Sequence, residues 1–271
     1  MARRNSRSPR TPRLATVVAA LDELAPLRFA ADWDNVGLLV GDRSRSVSRV
    51  LFAIDLMPAV VKEAIAMKAQ LIVAYHPPIF RPLKRLVGPT TGMEAGVIRC
   101  LEKGIAVYSP HTALDVAEGG TNDVLADIVG LSKTEPVQTI DDDHGQGRMG
   151  DLDKPTTLGQ LAKRVKRKTG ARCVSAVGTL ETPVRRAIVG VGAAGSLLFE
   201  GKPGFGDVVV TGELRHHDAL RVLREKATAL VLSHWSSERP ALSRYASRLG
   251  ESVEGLDLRL SEEDVEPFVR V

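Results

Sequence analysis

Apolar and polar positions alternate along the chain in a pattern that predicts strands and helices in turn. Leu14, Val17, Val18, Leu21 and Leu24 fall at helical spacing and predict an amphipathic helix ending before Pro26. Val50 to Ile54 reads as a strand with Asp55 at its end, Val60 to Ala69 as a helix, and Leu71 to Ala74 as the next strand. That is a βαβ unit, which calls for a parallel sheet. Glu94 to Lys103 predicts a helix and Ile105 to Tyr108 a strand, while Thr121 to Asp123 starts a capped helix that Gly130 closes. Residues 132–157 are polar, rich in turn formers and without periodicity, so they read as a linker or exposed loop. Beyond them Leu158, Leu161 and Val165 mark the inner face of a helix. Strands are expected at Arg186 to Val191, Asp207 to Val210 and Ala229 to Leu232, and a helix at Glu213 to Arg224. The expected fold class is α/β, in two α/β lobes with mixed or largely parallel sheets. Residues 1–13 form a tail, 14–131 the first lobe, 132–157 the linker and 158–271 the second lobe.

Several predicted strands stop at a histidine. Leu71 to Ala74 leads to Tyr75-His76-Pro77-Pro78, where two prolines end ladder pairing and stiffen the turn. Ile105 to Tyr108 leads to His111, with Asp115 four residues on, and Ala229 to Leu232 leads to His234, with Glu238 four residues on. One histidine at a strand end is ordinarily structural. Four or more coordinating groups at strand ends are what a divalent-metal site requires, and in open α/β sheets that edge is where ligands bind. His216, His217 and Asp218 read either as outer residues orienting a ligand or as a helix start.

Composition narrows the chemistry. The chain has 271 residues, 44% of them hydrophobic, enough for a sizeable core. No apolar stretch approaches the ~18 residues that cross a bilayer, so no membrane partner is expected. Cys100 and Cys173 stand far apart, which excludes a thiolate zinc site and leaves imidazole and carboxylate as ligands. Five arginines (Arg3, Arg4, Arg7, Arg10, Arg13) lie in residues 1–13; without them the formal charge falls from +4 to −1. The basic character is therefore that of a disordered tail, and a nucleic-acid face on the body is not expected. Lys163, Arg164, Lys166, Arg167 and Lys168 form a solvated helix face. The expected compartment is the cytoplasm, with a mitochondrial transit sequence as the other reading of the leader.

Three rival features carry less. Asp32 and Asp34 precede glycine in the manner of turn formers, and Asp141 to His144 read as loop charges. Gly190 to Gly195 matches a dinucleotide fingerprint as a string, but too few residues follow for a crossover helix, so these glycines read as a tight turn with a dinucleotide-binding enzyme as the rival. No Gly-x-Ser-x-Gly elbow supports a serine hydrolase.

The blocks LIVAYHPPIFRPLKRL, YSPHTALDVAEGGTNDVLA, FAADWDNVGLLVG, TGELRHHDAL and LSHWSSERPAL resemble those of the Nif-three-like family, also described as type 2 homologues of GTP cyclohydrolase I. The resemblance covers nearly everything from Leu14 to Gly250. It implies two α/β lobes with a metal site between them, residues 229–250 completing it, and a toroidal homohexamer. It also implies that His76, Asp115, His234 and Glu238 bind up to two divalent ions (zinc, iron, manganese or similar), with Glu238 bridging. Many relatives have His-His-Pro where this chain has Tyr75-His76-Pro77, and a phenol is a poor ligand while protonated, with an unperturbed pKa of ~10. The implied activity is metal-dependent hydrolysis of a nucleotide, of cyclohydrolase or phosphate-ester type, with His111 as the catalytic acid or base. A non-catalytic, metal-stabilised scaffold or interaction protein is the alternative.

Overall fold

The computed structural model describes residues 11–92 and 94–269. It divides the chain into two compact α/β units. The first runs to His111 and resumes with Tyr245–Val265; the second comprises Thr112–Arg244 and the residues from Glu266.

The first unit is built on a five-stranded sheet, in the order Gly37–Val40, Ala106–Ser109, Leu71–Ala74, Arg49–Ala53, Asp257–Leu260. Only the first pair is antiparallel. The βαβ unit predicted from residues 50–74 is present, with its helix at Pro58–Ala66. Leu71–Ala74 is buried at every position, which is why its sequence reads as a continuous apolar run rather than an alternating one. Val60, Val61 and Ala64 pack with Val97 and Cys100 of Glu94–Lys103 over this sheet. Elsewhere in the unit Phe52 meets Tyr245 edge-on, with ring centroids 6.2 Å apart.

The second unit holds a six-stranded mixed sheet, in the order Leu131–Glu135, Arg148–Thr157, Pro183–Gly190, Asp207–Thr211, Thr228–Val231, Ser175–Val177. The three central strands run parallel and the rest antiparallel. Helices Thr121–Val129 and Leu158–Thr169 contribute to one apolar cluster, and Leu198, Phe199 and Val222 to another. Leu158–Thr169 begins in a capping box of Thr157 and Gln160, and its Lys163, Lys166, Arg167 and Lys168 are exposed as the pattern predicts. Arg164 instead turns inward to donate to the Val129 carbonyl.

Residues 132–157 differ from the expected linker. They hold the paired strands Leu131–Glu135 and Arg148–Thr157, and between them the hairpin Gln138–Thr139 with Gly145–Gln146. Leu131–Glu135 is an edge strand exposed at four of its five positions, so it needs no apolar run and leaves none to read. The unit boundaries differ as well. The chain passes from one unit to the other within the helices His111–Val116 and His234–Ser252, where a helix carries no linker signal, and a third time between Val265 and Glu266. Of the stretch read as a tail, residues 1–10 lie outside the described residues. Arg13 bridges to Ser46, and the Pro12 carbonyl accepts from Val47, so these residues belong to the fold. Among the described residues no helix is long and apolar enough to cross a membrane.

Candidate metal centre

In the first unit the sheet places two imidazoles together. Beyond the register pair Ala53↔Ala74, the ladder continues as the Tyr75 and His76 amides donate to the Ala53 and Ile54 carbonyls, each at 2.9 Å. Two residues past that pair on each strand, Asp55 Oδ1 and His76 Nδ1 lie 3.0 Å apart. The antiparallel register Gly37↔Ser109 does the same for the turn before Gly37, bringing Asp34 Oδ1 to 2.8 Å from His111 Nδ1. The Asp34 side chain is wholly buried. The His76 and His111 rings stand 5.3 Å apart, and Tyr75 lies against both, at 5.0 and 5.4 Å. His111 takes φ +27°, a backbone region that L-residues avoid and that recurs at functional positions.

The second unit repeats the device. Thr211 pairs with Val231 in parallel register, and past those strand ends Glu213 Oε1 lies 2.7 Å from His234 Nδ1. His234 Nε2 is 3.0 Å from Oε1 of Glu238, one turn along the same helix and only 3% exposed. Two facing lone pairs repel, so this contact needs a positive centre, either a proton or a metal ion. Glycine is required at Gly192, with φ +57°, because a Cβ there would meet Glu238 Oε1 and His234 Nε2. The turn from Gly190 to Gly195 is thus tight, as read from the sequence, and the helix after it, Leu197–Glu200, spans only four residues. A dinucleotide pyrophosphate has no helix of useful length there, and its close approach is taken by Glu238 and His234. Asp115 accepts from Thr121 Oγ1 through its side chain and from Asn122 Nδ2, at 2.9 Å, through its carbonyl. Asn122 Oδ1 in turn accepts from the Val191 amide at 3.1 Å.

All three histidines therefore carry Nδ1 on a carboxylate from a neighbouring strand end or turn. That contact fixes the tautomer and leaves Nε2 as the nitrogen for an ion or a substrate. The donor set, imidazole and carboxylate without thiolate, fits a zinc-, manganese- or iron-class ion. Asp34, Asp55 and Glu213 are the residues that reading the sequence misses. Asp34 does form the expected turn, accepting from the Asn35 amide at 2.8 Å, and holds His111 as well.

The other candidates make local contacts. His216 and His217 start the helix His216–Arg224, both exposed, with no side-chain cap bond at its N-terminus. Asp141 and His144 bond each other at 2.8 Å in the hairpin turn, and the hydrogen bond from His144 holds the Asp141 carboxyl below its usual range.

The model of the Duf34/NIF3 family (NGG1p interacting factor 3) matches residues 12–267. The chain belongs to this family. Its Duf34/NIF3 relatives include a NIF3-like protein 1 of Drosophila melanogaster, 36% identical over 96% of this chain and 89% of that protein. A GTP cyclohydrolase 1 type 2 homolog of Clostridium perfringens is 27% identical over 94% of this chain and 98% of its own length. Among solved structures, a Bacillus cereus protein related to NIF3 superposes with a TM-score of 0.85 over 97% of this chain and all of the other, at 22% identity, which shows the shared fold.

Proposed function

We propose that this Duf34/NIF3 chain binds up to two divalent ions through His76, Asp115, His234 and Glu238, with Glu238 bridging, and hydrolyses a nucleotide. His76, His234 and Glu238 offer one ligand atom each. The observation that carries the reading is the carboxylate on Nδ1 of each histidine, an arrangement that raises ligand basicity and aims the ring. When bound, such ions lower the pKa of water and polarise a phosphoryl group or ring carbon. Tyr75, which is 1% exposed, packs as an aromatic wall against His76, so a second ion has one imidazole fewer than in relatives with His-His-Pro and binds more weakly.

His111 is the proton-transfer group. Asp34 holds its Nδ1, so Nε2 is the nitrogen that accepts a proton in one step and returns it in the next. His111→Ala is expected to keep its metal and lose about 10²- to 10⁴-fold in turnover. An unchanged rate with metal bound removes His111 from the mechanism. GTP and a nucleotide panel, assayed with metal-loaded protein and with Glu238→Ala, test the activity itself.

A second reading is favoured by the family's description as an interacting factor. In it the metal stabilises a homohexameric scaffold for a protein partner. Hexamers that persist without turnover of any nucleotide would decide for it.

A further inference from the structure

Trp33 is 62% exposed and Phe80 43% exposed, yet the two rings are held together, with centroids 5.8 Å apart and planes at 58°. Their placement is built into the first unit. Asn35 Nδ2 donates to the Ile79 carbonyl at 2.5 Å, which ties the turn carrying Trp33 to the residue before Phe80. The same turn supplies Asp34 to His111, and the Trp33 indole stands 5.9 Å from the His111 ring, edge-on at 72°. An exposed aromatic pair is thus fixed beside the proposed proton-transfer group. Phe80 also opens a wholly exposed stretch, 80–89, that contains Arg81, Lys84 and Arg85 and no acidic residue. None of these three makes an ion pair among the described residues.

We propose that Trp33, backed by Phe80, is the stacking surface for the planar heteroaromatic ring of a phosphorylated ligand, and that Arg81, Lys84 and Arg85 supply the charge for its phosphates. The inference rests on the nucleotide reading above and adds the groups that recognise the ring and its charge. An indole face is flat, apolar and electron-rich, and stacking on it gives affinity without selecting one base. Guanidinium and ammonium groups complement phosphate oxygens. A second copy of this chain fits the surface less well, because a two-fold contact here would bring two sets of three cations together.

Calorimetric titration of the full chain with GTP, guanosine and tripolyphosphate, chelator-treated and metal-loaded, tests the proposal. Trp33→Ala is expected to weaken GTP and guanosine binding roughly 5- to 150-fold and leave tripolyphosphate unchanged, with Trp33→Phe restoring most of the loss. Arg81→Ala with Lys84→Ala should weaken GTP and tripolyphosphate but not guanosine. GTP affinity in Trp33→Ala within about twofold of wild type overturns the proposal, as does wild-type chain that binds no GTP. Trp33→Ala that dissociates in sedimentation while binding GTP normally also overturns it, and makes the aromatic pair a contact between copies. Since the readout is binding, a chain that binds GTP through Trp33 but holds no metal or turns nothing over sinks the hydrolase reading alone.

Discussion

Glu213 decides which nitrogen His234 presents. Its carboxylate on Nδ1 holds Nε2 toward Glu238, and removing it frees the ring to rotate and lowers its basicity. Glu213→Ala is expected to lower divalent-metal affinity about 10- to 100-fold, measured by competition with a chromogenic chelator. Affinity equal to wild type would mean that the contact orients nothing. A second residue-scale effect lies in the core of the first unit. Tyr108 donates to Asp22 at 2.8 Å and Tyr245 to the Leu21 carbonyl at 3.1 Å. Burial above all raises both phenols above their usual range, with the neighbouring Tyr245 and then the Asp22 charge adding to it at Tyr108, and the Asp22 charge at Tyr245. Both stay protonated in the folded chain, whereas the unfolded chain ionises them near pH ~10. Their contribution to stability is thus complete below that pH and declines as pH rises above it. Chemical denaturation at stepped alkaline pH should show the midpoint falling beyond pH ~10, less steeply in Tyr108→Phe. A slope unchanged by that substitution contradicts the assignment.

At the scale of elements, Arg148 joins helix Thr121–Val129 to the hairpin that precedes its own strand. Its guanidinium, 7% exposed, pairs with Asp123 and donates to the Gly145 and Gly147 carbonyls at 2.8 and 2.7 Å. Arg148→Met leaves Asp123 half-buried and unpaired, and should cost about 3 to 5 kcal/mol in equilibrium unfolding. A loss below about 1 kcal/mol would show the ion pair to be solvent-screened. That hairpin is also where the sequence is hardest to read. Strands such as Leu71–Ala74 are legible because burial on both faces demands an unbroken apolar run. Leu131–Glu135 is not, because an edge strand can be polar throughout. The histidines are legible for the first reason, since each follows a buried strand. Their carboxylate partners are not, because Asp34, Asp55 and Glu213 meet them only through strand pairing, 77, 21 and 21 residues away in sequence. Gly192 is intermediate. The turn is visible in the string, but its cause, the approach of Glu238 and His234, is a contact across the unit's fold.

At the scale of the whole molecule, the reading rests on four proposed ligands, His76, Asp115, His234 and Glu238. Two of the three points where the chain passes between units lie in helices, and those helices begin at His111 and His234. Asp115 and Glu238 each stand one turn into these helices, so formation of the helices also sets the proposed acidic ligands. Family membership spans residues 12–267 and so includes every one of these groups. The most direct test is elemental analysis of the purified full chain after loading with a divalent metal and removal of excess, counted per chain, beside His234→Ala and Glu238→Ala. The account predicts stoichiometric metal in the wild type and its loss in both variants, with circular dichroism unchanged. Wild-type chain without stoichiometric metal, or folded variants that retain it in full, would contradict it.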